Sequence, residues 1–101
     1  METIDSKNHV PIRLTEERWL HMTEGHPELA GYYYEVLEAI ADPEAIYEGD
    51  DGALIAKKKT TEDKYLVVIY RELNKTDGFV ITAFLTSKVR AIEKRRKVWP
   101  V

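Results

Sequence analysis

The sequence predicts an α+β fold: two N-terminal helices packed on an antiparallel four-stranded sheet, with a short C-terminal helical segment. Three observations carry this expectation. Between residues 16 and 41 apolar side chains recur at helical spacing, interrupted at Gly25 and Pro27. From residue 45 onward the pattern changes to short β-branched and aromatic runs bounded by turn residues. The two longest runs, Tyr65–Tyr70 and Phe79–Leu85, flank Leu73-Asn74-Lys75-Thr76-Asp77-Gly78, which makes them an antiparallel pair.

Taken in order, Met1 to Asn8 reads as a flexible polar arm, and His9 to Leu14 as a short strand or an extended lead-in whose pairing Pro11 restricts. Thr15 is placed to cap a helix over about Glu16 to Glu24. Glu16 and Glu17 complement the dipole in its first turn, and Leu14 is positioned to staple onto Trp19. Gly25 stops that helix, and Pro27 opens a second one that runs to Ala41 with Leu29, Tyr33, Val36 and Ile40 on one stripe. Tyr32, Tyr33 and Tyr34 are consecutive and cannot all face a core, so at least one is half exposed. Asp42-Pro43 ends the helix. Strands follow at Ala45–Glu48 and Ala53–Lys58 around the turn Gly49–Gly52. After the central hairpin, Thr86-Ser87 are placed to cap a last helical turn or two with Val89 and Ile92 inward, ahead of Lys94–Lys97 and a terminal Val98-Trp99.

A symmetric hairpin turn sets Glu72 against Phe79, Ile69 against Thr82 and Val67 against Phe84. One face then carries Leu66, Val68, Tyr70, Phe79, Ile81, Ala83 and Leu85, apolar enough to meet the helices. The other carries Tyr65, Val67, Ile69, Arg71, Val80, Thr82, Phe84 and Thr86, where an arginine and two threonines stand on an otherwise apolar surface.

A chain of 101 residues with 44% hydrophobic content forms one domain with a single core. It contains no cysteine, which excludes disulfides and thiolate metal sites and suits a reducing cytoplasm. No apolar run reaches the length of a membrane span, and the N-terminus has no hydrophobic signal core. The net charge of −3 is unevenly spread, with −10 from Met1 to Ile55 and +7 from Ala56 to Val101. Either one side of the molecule attracts polyanions, or two oppositely charged layers neutralise each other.

Of the three histidines, His26 is the one whose backbone is fixed, between a glycine and a proline at the corner of two helices. It suits general acid–base work, and equally the satisfaction of free amides at a helix start. Arg71 and Thr82 share a face across adjacent strands, as a phosphate clamp and hydroxyl donor or as a snorkelling arginine and a β-propensity threonine. Lys57, Lys58 and Lys64 add positive charge at the flanking strand ends. There is no metal-ligand spacing, no phosphate-binding glycine loop and no serine-nucleophile elbow.

The order Arg13-Leu14-Thr15-Glu16-Glu17-Arg18-Trp19, Gly25-His26-Pro27-Glu28-Leu29, Asp42-Pro43, Lys64–Arg71 and Gly78–Phe84 resembles the phage-associated branch of the barnase, EndoU, colicin and RelE-like (BECR) nuclease fold, over about residues 12–88. The resemblance implies a metal-independent, cofactor-free, toxin-like ribonuclease domain. His26, Arg71 and Thr82 would be catalytic, Lys57, Lys58 and Lys64 would bind substrate, and the product would be a 2′,3′-cyclic phosphate. It equally accommodates a non-catalytic interaction module in which a homodimer partner or an antitoxin-like protein covers the face of Val67, Ile69, Val80 and Phe84. The acidic balance departs from the more basic nucleases of this fold. Any catalytic reading also requires His26, from the helical layer, to reach Thr82 around the sheet edge.

Overall fold

The computed structural model describes residues 2–101. The strands are β1 (Glu2–Asp5), β2 (Pro11–Leu14), β3 (Ala45–Glu48), β4 (Leu54–Lys59), β5 (Tyr65–Asn74), β6 (Asp77–Thr86) and β7 (Lys97–Trp99). The α-helices are α1 (Glu16–Gly25), α2 (Tyr33–Ala41) and α3 (Arg90–Glu93), with single 3-10 turns at Pro27–Leu29 and Asp50–Gly52. The α+β class holds, but the sheet has seven strands rather than four, in the order β1-β2-β6-β5-β4-β3-β7. All neighbours are antiparallel except β2 and β6, which run parallel.

The three extra strands lie at the sheet's two ends. Residues 2–8 are not a free arm: Glu2–Asp5 pairs with Pro11–Leu14, with Ile4 opposite Ile12, while Met1 lies outside the described residues. Pro11 is accommodated because it sits at the end of this pairing, opposite Asp5. Val98-Trp99, expected only as a tail, belongs to β7, in which Trp99 lies opposite Ile46 and Lys97 opposite Tyr47.

Thr15 caps α1 as its position predicts, its hydroxyl accepting from the Arg18 amide at 3.1 Å. The expected second helix is divided. Pro27–Leu29 makes one tight turn, Gly31 adopts φ +88°, and α2 starts only at Tyr33. A left-handed glycine breaks the helical hydrogen-bond ladder at that point. Tyr34 is the exposed member of the tyrosine triplet, while Tyr32 and Tyr33 are half-buried against the core. Thr86 accepts from the Lys88 amide but does not cap α3, which begins four residues later.

α2 buries Val36, Leu37, Ala39 and Ile40, and leaves Glu35, Glu38 and Tyr34 outside. It packs against β4 and β5 on one side and β1 on another, so the sheet curls around it. The curl brings the β1–β2 loop to the far edge, where the Lys7 ammonium lies 4.7 Å from the Trp99 ring centroid. In the same loop the buried Ser6 hydroxyl donates to the Glu72 carboxylate, to which Asn8 also donates at 3.0 Å.

The hairpin keeps the expected register from Tyr65 opposite Thr86 to Ile69 opposite Thr82, then slips by one residue. Ile81 is the extra residue of a bulge, so Tyr70 faces Val80, Arg71 faces Phe79 and Glu72 faces Gly78 instead of Phe79. The slip exchanges faces: Val80 enters the helix-side core with Leu66, Val68, Tyr70 and Ala83, and Phe79 leaves it. On the other face Val67 and Ile55 join Ala45 and Tyr47 in a second cluster, on which Ile69, Phe84 and Ile92 of α3 pack.

Gly78 sits where three strands crowd. A Cβ there would lie 2.6 Å from both the Arg71 carbonyl oxygen and the Ile12 side chain. Gly78→Ala is expected to destabilise the fold by about 1–3 kcal/mol in urea unfolding, because backbone cannot yield as a flexible side chain would. Tyr70 is fully buried and its hydroxyl has no protein partner. Burial, with a smaller contribution from Glu72, raises its pKa well above the ordinary value for tyrosine. Above about pH 10 the unfolded chain ionises here while the folded chain holds its proton, so this residue makes stability fall as pH rises. Tyr70→Phe is expected to leave stability unchanged or raise it by about 1 kcal/mol, and to flatten the alkaline limb of the stability–pH curve.

Candidate functional site

The helical corner fixes His26 through its backbone. Its N–H donates to the Met22 carbonyl at 2.8 Å, closing α1, and its carbonyl accepts from Leu29 at 3.0 Å, closing the 3-10 turn. The imidazole caps neither element and is free for other contacts. Its Nδ1 lies 3.3 Å from a Glu28 carboxylate oxygen, and its ring is tilted beside Phe84 with centroids 6.1 Å apart.

This placement follows from how β6 is flanked. β2 pairs with it at Gly78 and Phe79, and beyond that point, among the described residues, no strand runs along its outer side. α1 and the Pro27–Leu29 turn pack there instead. His26 therefore meets the sheet edge that the sequence required it to reach. A shallow depression of about 340 Å³ forms between α1 and β6, with His26, Thr82, Arg18, His21 and Ile81 in its lining. Arg18 also lines the neighbouring depression with Arg13, Thr15 and Phe79.

Thus His26 and Thr82 are brought together, and Arg71 is not. Arg71 shares a sheet face with Thr82, but its guanidinium turns toward β4 and donates to the Asp51 carbonyl, while its Nε is buried without a protein partner. Arg18 and His21, rather than Arg71, line the depression beside His26 and Thr82. Their i, i+3 spacing on α1, continued by Gly25 and His26, was a visible signal, but the sequence alone did not show that this side of α1 faces β6.

The three lysines have three different surroundings. Lys57 is 3% exposed on the face away from α2, with Glu93 of α3 at 2.7 Å and Glu44 at 3.5 Å. Its ammonium also lies 4.9 Å from the Tyr65 ring centroid and 5.7 Å from that of Tyr47. Burial pulls its pKa down, but the hydrogen bond to Glu93 and the fields of Tyr47, Glu44 and Glu93 outweigh it, leaving the pKa above the ordinary lysine value. Lys58 points to the helical side, 3.1 Å from Glu38 and donating to the Asp42 carbonyl at 2.8 Å. Lys64 is exposed and, among the described residues, has no carboxylate within 4.0 Å; the same holds for Arg18, Lys88 and Arg90.

Ion pairs also join the acidic and basic halves of the chain. Lys57 and Lys58 meet Glu44, Glu38 and Asp42, while Arg95 and Arg96 reach Asp50 and Glu48. Much of the charge asymmetry is therefore neutralised internally. The same C-terminal segment covers part of the second face: Val67 is fully buried there, and Ile69 and Phe84 are half-buried. Among the described residues, no cluster of three His, Cys, Asp or Glu side chains is arranged to hold a metal ion, and no helix is long and apolar enough to cross a membrane.

Comparison with family models, with characterised proteins and with solved structures finds no match to this chain.

Glu93 holds α3 to the sheet through Lys57, and its removal leaves a buried ammonium with Glu44 alone. Glu93→Gln is expected to cost about 1 kcal/mol, since Glu93 itself is half exposed, and to speed amide exchange in β7 more than in β5.

Proposed function

We propose that the groove between α1 and the outer edge of β6 binds and cleaves RNA without a metal ion, with His26 as its central acid–base group. The observation that supports this reading is the shared depression: an imidazole from the helical corner beside a threonine from the late strand, with a second imidazole and an unpaired guanidinium next to them.

The chemistry needs a group to accept the ribose 2′-OH proton and another to protonate the departing 5′-oxygen, and two histidines in one depression can divide these tasks. The 2′-oxygen attacks phosphorus, the bond to the 5′-oxygen breaks, and the products are a 2′,3′-cyclic phosphate and a free 5′-hydroxyl. Arg18 stabilises the charge that develops on the phosphorane, and the Thr82 hydroxyl donates to a non-bridging oxygen. Lys64, Lys88 and Arg90, near the far end of β6, extend the positive path for the RNA backbone. The reading as a partner-covered interaction module has less support, because Ile92 of the chain's own C-terminal segment packs on part of the face such a partner would need.

Purified protein incubated with tRNA and mRNA in EDTA is expected to yield fragments ending in a 2′,3′-cyclic phosphate. His26→Ala should slow cleavage by about 100-fold or more, and Arg18→Ala by about 10-fold or more. Arg71→Ala should stay within a few-fold of the wild type, because its guanidinium serves the Asp50–Gly52 turn. Absence of cleavage across single-stranded and folded RNAs, from protein with a cooperative unfolding transition, would rule the proposal out.

A further inference from the structure

The opposite side of α1 has the reverse chemistry. A depression of about 320 Å³ is lined by Glu2, Glu16, Trp19, Leu20 and Tyr33. The Trp19 and Tyr33 rings pack edge to face, at 86° with centroids 5.2 Å apart, and both line this depression. Tyr34 packs on Tyr33 in turn, its ring at 90° to that of Tyr33 and also 5.2 Å away. Glu2 comes from β1 and Glu16 from the first turn of α1, so separate elements bring a carboxylate to the same depression.

Each component has a distinct consequence. The faces of Trp and Tyr rings carry negative quadrupole charge and attract a cation at van der Waals distance. Burial, and then the nearby Glu2 and Glu16 carboxylates, hold the Tyr33 phenol protonated to higher pH than usual, so its ring remains a neutral aromatic surface. Leu20 and Tyr34 are 62% and 68% exposed at this site, an apolar margin without a covering element. Positive charge satisfies the carboxylates, and apolar substituents on that charge suit the indole, phenol and leucine surfaces. A bare ammonium ion meets the first requirement only, because it must shed tightly held water to touch the rings.

We propose that this depression is a binding site for a quaternary or methylated ammonium group, held against the aromatic lining of Trp19 and Tyr33 with Glu2 and Glu16 supplying the counter-charge. The site is separate from the histidine groove and does not depend on the RNA reading. Its ligand chemistry is shared by a free choline-like molecule and by a methylated lysine of a protein.

The test is a titration followed by 1H–15N spectra, with the Trp19 indole N–H and the amides of residues 16–20 and 33–34 as reporters. Tetramethylammonium chloride is expected to shift them saturably, with a Kd on the order of 1–10 mM. Equal concentrations of sodium and ammonium chloride should produce only the small, unsaturated drift of ionic strength. Glu2→Gln with Glu16→Gln, both exposed positions, should weaken binding by about 10-fold without altering the unfolding midpoint by more than a few degrees. Trp19→Leu should abolish it, with the rest of the spectrum confirming the fold. Choline and Nε-trimethyllysine amide then separate the two sources, the tighter one identifying the natural class. The proposal is overturned if tetramethylammonium behaves like sodium, if ammonium binds equally well, or if the double glutamine variant keeps the wild-type affinity.

Discussion

The apolar stripe of α2 sets the shape of the molecule. Val36, Leu37, Ala39 and Ile40 lie within little more than one turn of one another but spread across nearly half the helix circumference, too wide for one flat sheet face to cover. A curled sheet solves this, with β4 and β5 against one part of the stripe and β1 against another. The N-terminal residues become a strand because the helix needs them as a wall, not because their own side chains demand pairing. The contact between Lys7 and Trp99 is a by-product of the same curl, since it brings the two ends of the strand order toward each other.

The second determinant is the change of neighbour along β6. Its first residues are enclosed by β2 and β5, and its later ones by β5 and the helical corner. The bulge at Ile81 lies near this handover, and it moves Val80 inward while leaving Thr82 on the opposite face. A regular strand would have kept Phe79 and Ile81 in the core and Val80 outside. The depression shared by Thr82 and His26 thus belongs to a place where the sheet is left unfinished and a loop between helices fills the gap.

What the sequence made legible were features with strong local causes. The hairpin register between Tyr65 and Ile69, the Thr15 cap and the end of α2 at Asp42-Pro43 each depend on a few neighbouring residues. β1 and β7 were hidden because Glu2-Thr3-Ile4-Asp5 is short and polar, and Lys97-Val98-Trp99 is only three residues long and a strand only by virtue of its distant partner β3. Lys57 is expected, with Lys58 and Lys64, as a positive charge at a strand end open to substrate. Yet strict alternation in β4 puts it on the same face as Ile55, and that period was available. For the site, the fixed backbone of His26 follows from its glycine and proline neighbours, whereas its place beside Thr82 depends on how α1 packs along β6, and the departure of Arg71 on the Asp51 carbonyl, a loop contact that no spacing encodes.

The parallel pairing of β2 with β6 has a consequence for how the chain acquires its structure. Arg13 grips Asp77 with two nitrogens, at 2.8 and 3.1 Å, at a sequence separation of 64. During synthesis the first strands emerge well before their neighbour exists, and the hairpin of β5 and β6 must be made before they have an edge to join. Local pairs such as β1–β2 and β5–β6 can form quickly, but uniting them requires closure of a long loop, the step that slows chains rich in distant contacts. Assembly of the groove is therefore a late event, because its floor and its wall come from opposite ends of that loop.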